Sequence, residues 1–208
     1  MNESGKVRSE HLERQAYLYI RQSSLKQVQE HQESTARQYD LQRRATVLGW
    51  HVDEIVVIDE ASVSCERISI DAPAEMVWSV IVDFDRYGEW NEFCPQIEGE
   101  PKLGAALTMK VDLGRGLQEQ VEYITFIDAP RKIVWSMQNR AGDPIHANRS
   151  QLIESVDESH CTYWSIDEFQ GDAVAAMMKA LAKSVEHGFE LCARGLKREA
   201  ERRYRESA

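Results

Sequence analysis

The sequence predicts an α+β protein in which a curved antiparallel sheet wraps around one long C-terminal helix, preceded by a partial β-α-β unit. Three observations carry this reading. Between residues 96 and 169 lie five or six strand-length stretches, separated by short polar, Gly or Pro breaks, the spacing of an antiparallel meander. Beyond them, Val174, Met178, Leu181, Val185, Phe189, Cys192 and Leu196 are spaced by 4, 3, 4, 4, 3 and 4, a sustained apolar stripe at helical period. In residues 1–60 a long polar helical stretch separates two apolar runs.

Taken in order, the apolar and aromatic run 16–21 reads as a strand. Residues 27–48 read as a helix, with Val28, Tyr39, Leu41, Ala45 and Leu48 among charges and Gly49 as its C-terminal stop. The run 54–59 is continuous and apolar, as in a buried parallel strand. A lone β-α-β unit cannot cover both faces of its strands. It must pack on the second domain, pair with a second copy or stay partly mobile, and the sequence leaves these open.

The pattern changes at Glu60/Ala61, which divides the chain into a unit at 1–60 and a domain at 61–208. Val63, Cys65, Ile68 and Ile70 form a strand. Asp71 is an acidic N-cap candidate and Pro73 sits near the first helical turn. Met76, Val77, Val80 and Ile81 give the apolar face of one helix, and 84–90 a second, short one. Strands are expected at 96–101, 106–112, 118–127, 132–138, 147–156 and 161–169. Val121, Tyr123 and Thr125 share one face, as do Ile133, Trp135 and Met137; Thr162, Trp164 and Ile166 share another. A final helix over 172–205 would run on the order of 50 Å.

Composition narrows the function classes. The 208 residues carry a net charge of −10, a surface that repels phosphate backbones. Residues 1–60 hold 8 basic and 10 acidic side chains, so they form no basic patch. The tail 194–208, with 6 basic and 3 acidic, reads as a solvated helix end. No nucleic-acid partner is expected. The N-terminus is polar and no run has transmembrane length, so a cytoplasmic protein without membrane insertion is expected. Cys65, Cys94, Cys161 and Cys192 form no C-x-x-C and sit at no finger-like spacing from a histidine, which reads as reduced thiols. The six histidines are scattered, and neither metal nor cofactor is expected.

Residues 19–27, YIRQSSLKQ, resemble the active-site motif of serine recombinases of the resolvase/invertase family, and 33–38 are also similar. The resemblance covers about a quarter of the chain. It implies that Ser23 corresponds to the nucleophile that attacks DNA and Arg21 to a phosphate ligand. A serine needs activation, and transfer at phosphorus needs several placed cations. In that family further arginines and an aspartate lie beyond the second strand, where this chain departs after Glu60. Arg21 and Ser23 are therefore expected to be an inactive remnant, with no catalytic residue among them.

Residues 68–78, ISIDAPAEMVW, and 83–91, DFDRYGEWN, resemble the opening of polyketide cyclase/dehydrase-like members of the START-like (SRPBCC) superfamily. That resemblance covers essentially all of 61–208. It implies the helix-grip fold, with an apolar cavity between the long helix and the concave sheet. Members bind lipids, polyketides, hormones or aromatic compounds, and some are enzymes. The candidate ligand-binding residues are Trp78, Phe84, Trp90, Asn91, Phe93, Met109, Tyr123, Trp135, Trp164, Met178, Leu181 and Val185. Each tryptophan can orient a guest through its N–H or fill the core. Asn139, Asn148, Ser150 and Glu168 are further polar candidates. Asp112 and Glu168 are acid/base candidates by strand position alone, each expected to face solvent; His146 and His160 are expected at exposed turns.

The leading reading is a module that binds a small hydrophobic or aromatic, lipid- or polyketide-like ligand. The alternative is a cyclase, dehydratase or hydrolase on the same scaffold. A third is a recombination-related protein carrying a defective recombinase fragment. A homodimer through exposed strand edges is left open.

Overall fold

The structure, a computed structural model, describes residues 7–22 and 32–207. A helical turn, α1 (Ser9–Leu12), precedes β1 (Ala16–Gln22), α2 (Gln32–Leu48) and β2 (Ile55–Ser64). Then come β3 (Ile68–Ile70), α3 (Ala74–Ile81), a 3-10 turn (Phe84–Glu89), β4 (Gln96–Glu98), β5 (Ala106–Asp112) and β6 (Leu117–Asp128). β7 (Lys132–Ser136), β8 (His146–Ser155), β9 (Cys161–Gln170) and the long α4 (Val174–Ser207) complete the chain. Ser23 lies outside the described residues; Arg21 is a backbone position of β1.

The strands form one curved sheet in the order β1-β2-β9-β8-β7-β6-β5-β4, with β3 also paired to β9. Every pairing is antiparallel except β1 with β2. β2 runs unbroken through Glu60/Ala61. Its first part, Ile55–Ala61, pairs in parallel with β1, and Glu60–Ser64 pair with β9. The strand expected over 63–70 is two: the chain breaks at Cys65–Arg67, where Cys65 Sγ accepts a hydrogen bond from the Ser165 backbone N–H at 3.2 Å.

α4 lies across the concave face, its inward stripe supplied by the heptad-like spacing of its apolar residues. Val174, Met178, Val185, Phe189, Cys192 and Leu196 are buried. Two glycines let the chain cross it closely. A Cβ at Gly195 would collide with the Trp90 carbonyl oxygen, and one at Gly188 with the Phe93 ring. α3 and the 3-10 turn close one end with Val77, Val80, Ile81, Phe84 and Tyr87.

Asp71 does not cap α3. Pro73 occupies the cap position, and the Asp71 N–H instead donates to Glu201 of α4 at 3.0 Å. β4 is shorter than the expected 96–101 because Gly99, at φ +146°, turns the chain.

Candidate functional site

Between α4 and the concave sheet lies a cavity of about 300 Å³. Four side chains of α4 form its roof: Met177, Leu181, Val185 and Phe189. Its apolar walls are Phe93, Met109, Val111, Leu113, Met137, Ile145, Ala147 and Phe169. The remaining wall is polar: Gln118, Gln120 and Glu122 from β6, Arg149 from β8 and Asp167 from β9.

Strand alternation explains how these residues meet. Arg149 is the register partner of both Trp135 on β7 and Asp167 on β9, so the three share the concave face. Glu122 and Leu107 are register partners, placing that carboxyl on the same face two residues from buried Ile124.

Arg149 is buried. Its guanidinium stands 4.2 Å from the Phe189 ring centroid and 5.9 Å from those of Phe93 and Trp135. Such stacking is attractive for a desolvated guanidinium. Its Nη2 donates to Cys192 Sγ at 3.6 Å, and the Asn91 amide reaches the same sulfur at 3.4 Å. Nearby, the Tyr163 hydroxyl donates to Gln151 Oε1 at 2.8 Å. Burial disfavours the guanidinium charge, but the surrounding thiol, phenol and carboxyl groups outweigh it, so Arg149 keeps its proton.

The two carboxyls behave otherwise. Both are half-buried, and the surface they show is cavity wall. Burial pushes Glu122 up to about 7, with the Arg149 charge pulling the other way. Burial raises Asp167 well above the carboxylate range, and the Glu122 charge adds to it. Among the described residues Asp167 Oδ1, Arg149 Nε and Trp135 Nε1 have no hydrogen-bond partner.

Of the sequence candidates, Phe93, Met109, Leu181 and Val185 line this cavity. Trp90, Phe84 and Trp135 lie in the packed core: Trp90 stacks edge-on against Tyr87 at 4.5 Å, and Phe84 packs edge-on against Trp135 at 6.4 Å. Met178 is also core, one position from the lining Met177. Trp78 packs half-buried against the core from α3. Asn91 does not line the wall; its Oδ1 accepts from the backbone N–H groups of Phe93 and Cys94, which fixes the loop that carries Phe93.

Tyr123 and Trp164 are on the opposite, convex face. The alternation that puts Glu122 and Asp167 inward turns these neighbours out, and Trp164 stacks there under Arg67 at 3.8 Å. Asn148, Ser150 and Glu168 share that outward parity. Asn139 bonds the β8 backbone at Ala147 and the Asn148 side chain. Asp112 faces solvent, accepting from the Gly114 and Gly116 N–H groups; His146 is half-buried and His160 exposed.

Sequence reasoning missed Glu122, Arg149 and Asp167. A parity signal existed: Asp167 alternates with Tyr163, Ser165 and Phe169, and Arg149 with Ala147, Gln151 and Ile153, all buried.

No group of three or more metal-ligating side chains occurs among the described residues, and none of their helices is long and apolar enough to cross a membrane.

Residues 60–201 match the family model described as polyketide cyclase / dehydrase and lipid transport. Among solved structures, the chain is similar to the Zhui aromatase/cyclase from Streptomyces sp. R1128, with a TM-score of 0.58 and 19% identity. That likeness covers 72% of this chain and 98% of the other. It is also similar to truncated norcoclaurine synthase from Thalictrum flavum, with a TM-score of 0.54 and 12% identity over 69% of this chain and 94% of that one. At such identities the likeness concerns the fold alone. An uncharacterized protein y4bA/y4pH of Sinorhizobium fredii (strain NBRC 101917 / NGR234) is 57% identical over 54 residues, 26% of this chain, and the chain spans 8% of that protein's length.

Proposed function

The chain belongs to the polyketide cyclase/dehydrase and lipid transport family, START-like (SRPBCC) proteins with the helix-grip fold, and from that membership we propose that its cavity holds one small apolar or aromatic molecule. The observation that carries this reading is the cavity's composition. Its roof and most of its wall are aliphatic, thioether or aromatic side chains, and its polar groups all come from the sheet. Methionines at 109, 137 and 177 suit guests of varied shape. The four cysteines are free and buried, which supports a reducing, cytoplasmic setting.

Native mass spectrometry of the purified protein, followed by its solvent extract, tests the proposal. The expected result is an apolar adduct near one per chain that is lost in Leu181→Trp, a substitution that fills the cavity from α4. An adduct that survives Leu181→Trp, or a protein that binds no member of a broad aromatic library, would sink it.

A second reading, a cyclase or dehydratase, is favoured by one arrangement. Glu122, pushed up to about 7, and Asp167, also raised by burial, share the wall with Arg149, as a general acid or base beside a fixed positive charge would. In that case Glu122→Gln abolishes turnover of the extracted compound but leaves its binding intact.

A further inference from the structure

Arg149 is 7% exposed and lines the cavity, yet among the described residues it forms no ion pair. Its Nη2 rests on a thiol, a weak acceptor, and its Nε has no partner. Asp167, directly across from it on β9, does not close on it and leaves its own Oδ1 unpartnered. A buried guanidinium is ordinarily paired with an anion, because its charge is costly away from water. Here Phe189, Phe93 and Trp135 surround its plane, and among the described residues the Cys192 thiol is its one hydrogen-bond acceptor. The partner that this geometry lacks is an anionic oxygen inside the cavity.

We propose that the guest carries an anionic oxygen at its buried end, a carboxylate, enolate or phenolate, which Arg149 receives, while its apolar body lies against Met109, Met177 and Leu181. This rests on the cavity reading above. Burial raises the Asp167 carboxyl, which weakens the repulsion an anionic oxygen would meet from the register partner of Arg149. The pairing of that oxygen with Arg149 would be charge-assisted, stronger than a neutral pair.

The test is isothermal titration of the full chain with 2-naphthoate and with 2-naphthylmethanol, two bicyclic probes that differ at the oxygen group. The acid is expected to bind about tenfold tighter or more, the range of one charge-assisted hydrogen bond. Arg149→Met should erase that preference and leave the alcohol's affinity in place. The comparison on the unaltered protein stands even where Arg149→Met fails to fold. Equal affinities for the two probes, or an acid preference that persists in a folded Arg149→Met, overturn the anion assignment and leave the cavity reading intact. If neither probe binds, the anion assignment falls, and the aromatic library decides the cavity reading.

Discussion

Glu122 couples the cavity to stability. Its carboxyl is held up to about 7 by burial, against an ordinary value of 4.5. Between those values the unfolded chain has released the proton and the folded chain retains it. Stability is therefore full below about 4.5 and falls as pH rises toward 7. Glu199 has the opposite sign: hydrogen bonds from Arg202 and then Arg203 hold it at about 2, so its contribution is lost as pH drops from 4.5 toward 2. Glu122→Gln should flatten the decline between pH 4.5 and 7 by about 1–3 kcal/mol in urea unfolding, cavity water screening part of the full effect. A decline unchanged in that variant would mean that the carboxyl is hydrated. At this scale the reading turned on strand parity, which the sequence alone does not orient. It put Tyr123 and Trp164 in the site, and their polar neighbours Glu122 and Asp167 occupy that wall. Leu181 and Val185 were legible because a helix stripe fixes its own direction.

Among the elements, α4 shows what a periodic pattern can and cannot carry. Its apolar spacing identified the helix and its inward face. Nothing in that spacing explains two glycines inside a helix, where each costs about 1 kcal/mol relative to Ala. Their reason lies in tertiary contacts that a sequence does not display, the passage of Trp90 and Phe93 over the helix. Gly195→Ala should therefore destabilise the protein despite its better propensity. The new Cβ meets a backbone oxygen that cannot rotate away, and overpacking of this kind costs about 1–3 kcal/mol. Differential scanning calorimetry would show a lower Tm; a raised Tm would mean that the crossing is loose. Strand ends were legible to within a few residues, as at β5, where the expected and observed bounds coincide. They failed where a glycine turned the chain early, as at Gly99.

Across the whole molecule, the change of pattern at Glu60/Ala61 was plain in the sequence. Its physical form was not, because strand continuity leaves no compositional trace. β2 joins the two stretches by pairing with β1 along one length and β9 along another. All cavity-lining residues lie at Phe93 or beyond. We therefore expect a chain beginning at Glu60 to melt cooperatively and to bind the same extracted compound as the full chain. Loss of cooperative melting would show that β1 and α2 are required to hold β2 against β9. Hydrogen exchange would report the same division, with β8 and β9 amides protected most and those of the edge strand β1 least.

The polar wall has one more consequence, for how the chain finds its fold. β6 points Gln118, Gln120 and Glu122 inward and leaves Leu117, Val121 and Phe126 exposed. A slip of one residue would reverse that arrangement and bury the oilier side. Inward Ile124 apart, hydrophobicity does little to fix the native alignment, which the Asp112-braced turn at Gly114–Gly116 and the irregularity between Ile124 and Phe126 help to set. An inward polar wall thus leaves the alignment of β6 to its turn and its irregularity more than to burial of apolar side chains.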